Sequence, residues 1–550
     1  MVFHSMEHHF FDQAHALWDD PADLFTLTRR TPFSGSGGSP MRNRLSVALF
    51  AALALLWSAP SQAAPRGTVT IAINGEPETM DPHVYSSFIG AMVWPWASDK
   101  LVISDTKTGE VVPWLAEKYE RLDSKRMKFT LRAGAKFTDG SPVTSEAVQF
   151  SIGRIMDPAN KSYQRTYWKD FDSIEVLNER EFIFKMKVPD NGLIRRLAGW
   201  GHIISLKNKG RKPEEISRSL ISGGPYILKS WTKGQRFEFE ANPTWWANSM
   251  FPNRPQRVIM RPIAEATTRV KALQAGEIDI AHKVLPHFIP DIKKDPKLDV
   301  ASKSSVRIAY IGFFAPEGSP FKDVRVRRAA NYALDGEAMY KTFLAGYADA
   351  AHQIFHPWTQ FGYNPEKRWL GFDLAKAKQL MKEAGYEKGF KADLISPDGN
   401  SPFDRQSCEA AAGMLQKAGI DTRCLPQPFA LYRKSFNTYL EGKNTTPAMH
   451  FLSFGNSSGD NSIILRGTTA CKGAWSPSCY EDLDAMIDKA SGLEDLKEQQ
   501  AAFEKISDRM LELATHKLLY RLHDVFGVNK RIDFTARHDE QLHPWEIVVK

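Results

Sequence analysis

Lys128-Phe-Thr-Leu-Arg-Ala-Gly-Ala-Lys-Phe-Thr-Asp-Gly-Ser-Pro-Val-Thr-Ser-Glu-Ala-Val148 decides how this chain is read. Lys128 to Arg132 alternates like a strand, and Gly134 and Asp139-Gly140 mark turns behind it. Ser141-Pro-Val-Thr144 leads to Ser145, a predicted N-cap for a helix over 146–156. Strand, turn and helix succeed one another within 30 residues, and the same grammar extends outward. Strands are predicted at 69–73, 278–280 and 420–425. Hairpins are predicted around Asn178 (175–177 with 181–188) and between 226–229 and 237–240. Helices are predicted at 265–275, stopped by Gly276, and at 323–334. Two more fall at 374–384, capped by Asp373 and ended by Gly385, and at 403–418, ended by Gly419. The class is mixed α/β built of many short units. No repeat of fixed period and no long Gly/Ser linker interrupts it, so interleaved domains are expected rather than strung-out ones.

An export signal precedes this region. Met41-Arg-Asn-Arg44 is a basic start, 45–57 is a 13-residue apolar run diluted only by Ser46, and Ser58-Ala-Pro-Ser-Gln-Ala-Ala64 supplies small residues. That is the plan of a secretory signal peptide cleaved after Ala63, and the run is shorter than the roughly 20 residues a membrane span needs. The expected location is the periplasm. Residues 1–40 read as an extension from a start codon placed too early, and Phe33-Ser-Gly-Ser-Gly-Gly-Ser-Pro40 is too simple to build a core. Cleavage leaves 487 residues, enough for two or three domains. The removed part holds four Lys or Arg and five Asp or Glu, so 68 basic residues face 59 acidic ones. This mild, dispersed excess gives no ground for nucleic-acid binding.

The four cysteines, Cys408, Cys424, Cys471 and Cys479, lie in one late stretch. In an exported protein an even count indicates disulfides, and three pairings are open. Cys408–Cys424 with Cys471–Cys479 is favoured, because each closes a short loop. A zinc site is the weaker alternative, since no Cys-x-x-Cys spacing is present.

Several stretches resemble one family in the right order. Thr70 to Ser87, with its Glu76-Pro-Glu-Thr-Met-Asp-Pro-His83, opens the series, followed by Pro113-Trp-Leu-Ala-Glu117 and the stretch from Phe129 to Val148. Gly223-Gly-Pro-Tyr226, Asn242-Pro-Thr-Trp-Trp246, Ala275-Gly-Glu-Ile-Asp279, the run from Pro320 to Asp335 and Lys382-Glu-Ala-Gly-Tyr386 continue it. Together they resemble the extracytoplasmic solute-binding proteins of family 5, the dipeptide, oligopeptide and nickel receptors of ABC importers. The resemblance implies a periplasmic-binding-protein-like fold of two lobes joined by hinge strands, with an inserted third domain. Lobe I would comprise 65–107, 206–306 and 521–550, the insert 108–205, and lobe II 307–520. It implies a monomeric receptor that captures a small-molecule solute and docks on inner-membrane permease subunits. No catalytic residue, metal or cofactor is expected. A nickel- or haem-complex receptor of the same family is the alternative.

In peptide-binding members, a segment of the form Trp-x-x-Asp-(Asn/Tyr)-Gly-Asp-Pro meets the ligand, and its first Asp takes the amino terminus. Here the stretch is Phe454-Gly-Asn-Ser-Ser-Gly-Asp-Asn461, with Ser457 at the amine-binding position. A buried ammonium needs a countercharge that serine does not supply. The resemblance therefore implies a ligand that is neutral or anionic there: a modified peptide, a glutathione-like compound, an opine or a sugar conjugate. Phe454, Gly455, Asn456 and Ser457 are the candidate contacts on one side. Tyr85, Ser86, Phe88 and Trp94 are those on the other. Arg405, in the polar loop 396–406, is a candidate grip for a ligand carboxylate. Asp460 reads better as a turn or cap residue than as a contact.

Two short motifs imitate enzyme signatures. Gly455-Asn-Ser-Ser-Gly459 fits the Gly-x-Ser-x-Gly nucleophile elbow, with Asp484 and His516 or His523 in hydrolase order, which would make the chain an exported serine hydrolase using Ser457. The residues that follow read as a poor helix, so the context fails. His352-Gln-Ile-Phe-His356 imitates a zinc-protease box but has Gln353 where the general base belongs, and Pro357 follows at once.

Overall fold

The fold was analysed in a computed structural model, which describes residues 65–85, 87–359 and 361–550. The signal-peptide and early-start readings, and Ser86, lie outside the described residues.

Alternating Val, Ile, Phe and Tyr segments assemble a mixed sheet. Its order is Ile420–Gln427, Phe390–Pro397, Ala448–Phe454, Leu298–Phe314, His516–Asn529, Ile280–His282, Thr68–Ile73, Arg257–Pro262, Arg236–Ala241 and Tyr226–Thr232, with the short strand Ala348–Ala350 pairing His516–Asn529 off this path. The two central strands are the longest, at 17 and 14 residues, and they run antiparallel. Their ladder breaks between Ser304 and Ile308. On one side of the break the long strands continue into Ile280–His282 and Thr68–Ile73, on the other into Ala448–Phe454 and Phe390–Pro397. Each half packs its own core. Val69, Trp96, Phe237, Val258 and Phe526 belong to the first, while Ile311, Val326, Leu394, Leu415 and Phe451 belong to the second. Two halves on two shared strands make this a two-lobed α/β fold. A separate four-stranded sheet, in the order Ala116–Arg121, Arg126–Leu131, Glu181–Met186 and Phe171–Val176, stands beside the first half.

The opening stretch forms the strand Arg126–Leu131 and the helix Ser145–Met156. Its cap is Thr144, whose hydroxyl faces Ala147 N at 3.4 Å, while Ser145 is buried in the first turn. The strand predicted at 278–280 begins at Ile280 instead. Asp279 is drawn out of it, accepting from Thr70 N at 2.9 Å and pairing with Arg531 at 2.6 Å. Asp323 and Asp373 cap the helices Val324–Ala333 and Leu374–Glu383, and the helix predicted over 403–418 spans Asp404–Lys417. The chain pairs Cys408 with Cys424 and Cys471 with Cys479. No helix among the described residues is long and apolar enough to cross a membrane.

The opening motif serves as a clasp. Asp81 pairs with Arg154 through two bonds of 2.7 and 2.9 Å, both side chains nearly inaccessible, and His83 Nε2 lies 2.8 Å from His202 O. Two of the other stretches meet at Asp99. The indole N–H groups of Trp114, Trp245 and Trp246 all donate to its carboxylate, at 3.0, 2.8 and 2.8 Å. Burial pushes that carboxyl up to about 6 against these donors.

Removing one member of a buried ion pair leaves the other charge desolvated. Arg154→Ala is therefore expected to cost about 3–5 kcal/mol in urea unfolding at pH 7. A second expectation concerns acid. Burial holds the rings of His83, His516 and His543 down at about 4 against an ordinary 6.5. Between those values the unfolded chain binds more protons than the folded one. Stability should thus fall as pH drops from about 6.5 to about 4, by about 1–2 kcal/mol per ring at pH 5, and these rings add no further loss below 4. Urea midpoints across that range measure it.

Candidate ligand cleft

The strand Ala448–Phe454 carries its chain to the break in the long-strand ladder and delivers Phe454 to the gap between the halves. Gly455 follows at a close approach, where a larger residue would have to displace its neighbours. A Cβ there would stand 3.0 Å from Arg307 Nη2 and 3.1 Å from Glu540 Oε2. The next residues form a self-bonded turn. Asn456 Nδ2 donates to Asp460 O at 2.5 Å, Ser458 Oγ to Asn456 Oδ1 at 2.7 Å, and Asp460 N to Ser458 Oγ at 3.2 Å. Asp460 then caps the helix Asn461–Thr468 through Ser462 N at 2.9 Å. Ser457 alone in this turn has no hydrogen-bond partner among the described residues, and it faces a cavity.

Two cavities, of about 830 and about 550 Å³, adjoin in this gap. They share Glu78, Ser87 and Tyr167 from one side and Phe429, Phe454 and Trp475 from the other. Volumes of this size suit small-molecule ligands. Tyr85 lines the larger cavity, stacked on Tyr163 at 5.2 Å, and Phe88 lines the smaller. Arg433 lies over the Trp475 ring at 4.2 Å on the larger cavity's wall. The aromatic lining gives wide contact at low entropic cost.

Four sequence expectations need revision. Trp94 lines neither cavity. It is wholly buried, donates to Thr79 O at 2.8 Å and packs against Trp200 and His202, because its helix Phe88–Ala97 turns that face to the core. Asn456 is buried and spends its amide within the turn. Arg405 is ion-paired with Asp398 and borders a third cavity, of about 310 Å³. The segment after Ser457 does form a helix, but only after three intervening residues, so it is not an elbow. The other supposed catalytic groups are engaged elsewhere. Asp484 accepts from Cys471 N at 3.0 Å, His516 meets Thr468 O at 3.1 Å and His523 meets Asp349 at 3.0 Å. His352 and His356 lie in irregular chain, and among the described residues no three His, Cys, Asp or Glu side chains converge as metal ligands.

Sequence reasoning missed the charged groups at the hinge. In the break, Val306 N donates to His538 O at 2.9 Å, so the C-terminal segment takes the place of the absent ladder partner. Arg307 grips Glu540 through Nε at 2.9 Å and Nη2 at 2.6 Å, and its Nη1 reaches Ser453 O at 3.3 Å. Burial favours the neutral acid, yet Arg307's charge and hydrogen bonds hold the Glu540 carboxyl below its usual range. Lys283 stands beside them, its ammonium lowered to about 8 by burial and by Arg307. A third ionic group spans the gap. Arg196, on the helix Leu193–Trp200, bonds Asp190 at 2.7 Å and Asp460 at 3.1 Å. No spacing in the sequence announces these pairings, because their partners are up to 264 residues apart.

A two-lobed α/β body with a ligand-sized chamber between its halves belongs to the periplasmic-binding-protein class. The family model for bacterial extracellular solute-binding proteins, family 5, middle region, matches residues 110–475, and the chain belongs to that family. Heme-binding protein A of Haemophilus influenzae is 28% identical over 439 residues, covering 74% of this chain and 78% of that one. The dipeptide-binding protein of Escherichia coli K12 is 24% identical over 467 residues, covering 78% and 84%. The solved structure of AgaA from Agrobacterium tumefaciens R10, in complex with agropinic acid, superposes with a TM-score of 0.75 at 25% identity over 88% of this chain and 99% of AgaA.

Asp460→Asn keeps the helix cap but weakens the bridge from Arg196. Ligand dissociation measured by stopped flow should accelerate about tenfold, the equivalent of about 1.4 kcal/mol. An unchanged rate would show that the bridge does not hold the halves together.

Proposed function

We propose that this chain is the periplasmic receptor of an ABC importer, binding a small organic solute between its halves and presenting it to inner-membrane permease subunits. The observation that carries this reading is the chamber walled by residues from both sides of the hinge break. Closure around a solute is a population shift driven by contacts that exist only when the halves meet. The proposed boundaries are lobe I at 65–107, 206–306 and 521–550, the insert at 108–205 and lobe II at 307–520. The break at residues 305–307 and the separate four-stranded sheet support them. The protein is exported by the segment 41–63 and acts as a monomer. It releases its solute chemically unchanged.

Ser457 puts a neutral hydroxyl where peptide receptors place a carboxylate, which favours solutes without a free amine at that point. Modified peptides, glutathione-like compounds, opines and sugar conjugates meet this condition, and agropinic acid, bound by AgaA, is one such candidate. Haem and nickel chelates belong in the same screen, since one relative is named for haem.

A thermal-shift screen of residues 64–550 against these solutes should find one that raises the melting temperature by mass action. The same solute should reduce the radius of gyration in small-angle scattering as the halves close. A solute that is turned over, with turnover abolished by Ser457→Ala, would instead establish a hydrolase. So the screen is paired with a chromogenic ester assay, in which no Ser457-dependent activity is expected.

A further inference from the structure

Lys283 is the first residue after the strand Ile280–His282, and it holds a left-handed backbone, φ 52°, that lysine seldom adopts. The conformation is enforced. The buried guanidinium of Arg269 donates to four carbonyls, those of Ile263, Ala264, His282 and Lys283, at 2.7–3.0 Å. The side chain is thereby carried to the place where the 550 Å³ cavity meets the 310 Å³ one, and Lys283 lines both. Its Nζ rests 4.5 Å from the centre of the Phe88 ring. Arg307 rests on the same ring at 4.8 Å. A phenyl face partly compensates a cation, but it does not neutralise one.

Among the described residues, no carboxylate lies within ion-pair distance to do so either. Of those nearby, Glu540 is taken by Arg307 and Ser305 and Asp398 by Arg405, while Asp524 meets the His282 ring at 3.0 Å through Oδ1 and leaves its buried Oδ2 without a partner. Glu78 lines the same 550 Å³ cavity. Asp404 accepts from Ser401 N at 2.7 Å, and burial pushes its carboxyl up to about 7, so near neutral pH much of it carries no charge. Asn74 lines the same two cavities, and its buried Oδ1 has no partner. The amide can turn to present either end. A half-enclosed ammonium without a counter-ion is destabilising in the empty protein and becomes stabilising when a ligand anion arrives. Across the cavity, Ser457 adds no negative charge that would repel it.

We propose that Lys283, with Asn74 beside it, is the anion subsite of the cleft, and that the solute carries a carboxylate which docks there. This rests on the receptor reading above. The assignment deepens it from a small organic solute to a carboxylate-bearing one, held by an ammonium from one half and by the field of Arg307 in the hinge itself. The aromatic walls of the chamber then receive the solute's body.

The test compares acids with their neutral counterparts by isothermal titration calorimetry. The pairs are agropinic acid with its methyl ester, glutathione with its diethyl ester, and N-acetyl-alanyl-alanine with its carboxamide. Wild-type protein should bind the acid of a recognised pair at least about tenfold more tightly. Lys283→Gln should abolish that preference and Lys283→Arg should largely restore it. A probe independent of the solute is excess acetate. The ammonium of Lys283, followed by 13C NMR after reductive methylation and assigned by its loss in Lys283→Arg, should titrate at higher pH with acetate than with chloride of equal ionic strength. Equal binding of acid and neutral partner, a preference that survives Lys283→Gln, or an ammonium indifferent to acetate would overturn the assignment while leaving the receptor reading standing. Failure of every solute to bind, with the acetate response intact, would count against the receptor reading and support the anion site.

Discussion

Two antiparallel strands, Leu298–Phe314 and His516–Asn529, are paired at their ends and unpaired in the middle, and the rest of the molecule depends on that interruption. Backbone groups released from a ladder must find partners when buried. Here the C-terminal segment supplies one, His538 O to Val306 N, and side chains supply others: Ser305 Oγ meets Leu522 O and Arg307 N, and Arg307 Nη1 meets Ser453 O. A continuous ladder would weld the halves into one plate. Replacing several main-chain bonds by side-chain ones, which tolerate rotation, leaves a joint that bends without exposing unsatisfied groups.

The chamber's position follows from this joint. Strands from each half run toward it, and the residues at their ends, Phe454, Gly455 and Ser457 on one side and Lys283 on the other, line one cavity. Turn bonds inside 455–460 stiffen one wall, and Arg269 stiffens the other. Rigid walls on a flexible joint let closure be decided by what lies between them. The Arg196 bridge to Asp190 and Asp460 ties together elements on both sides of the gap.

The stretches that resemble the family mostly hold the scaffold together. Asp81 and His83 clasp the helix Ser145–Met156 and His202, and Trp114, Trp245 and Trp246 converge on Asp99. The residues that face the chamber lie largely outside those stretches. A scaffold can therefore stay recognisable in a chain while the cavity chemistry changes.

Element types, the mixed α/β class and the pairing of the cysteines were legible in the chain, because strand alternation, capping aspartates, helix-ending glycines and short cysteine spacings act within a few residues of one another, whereas the two-lobed arrangement was expected only through likeness to a family. Phe88, Phe454 and Ser457 could be placed at the cleft only through likeness to a family. What the tertiary structure decided was the fate of the polar and aromatic groups. Trp94 turned into the core, Asn456 into its own turn and Arg405 onto Asp398, while Lys283 and Arg307 came to share one phenyl ring. The physical reason is distance along the chain. A charge in the interior is defined by the partner that meets it, and the partners of Arg307 and Arg196 lie 233 and 264 residues away. Only a folded chain brings such groups within reach.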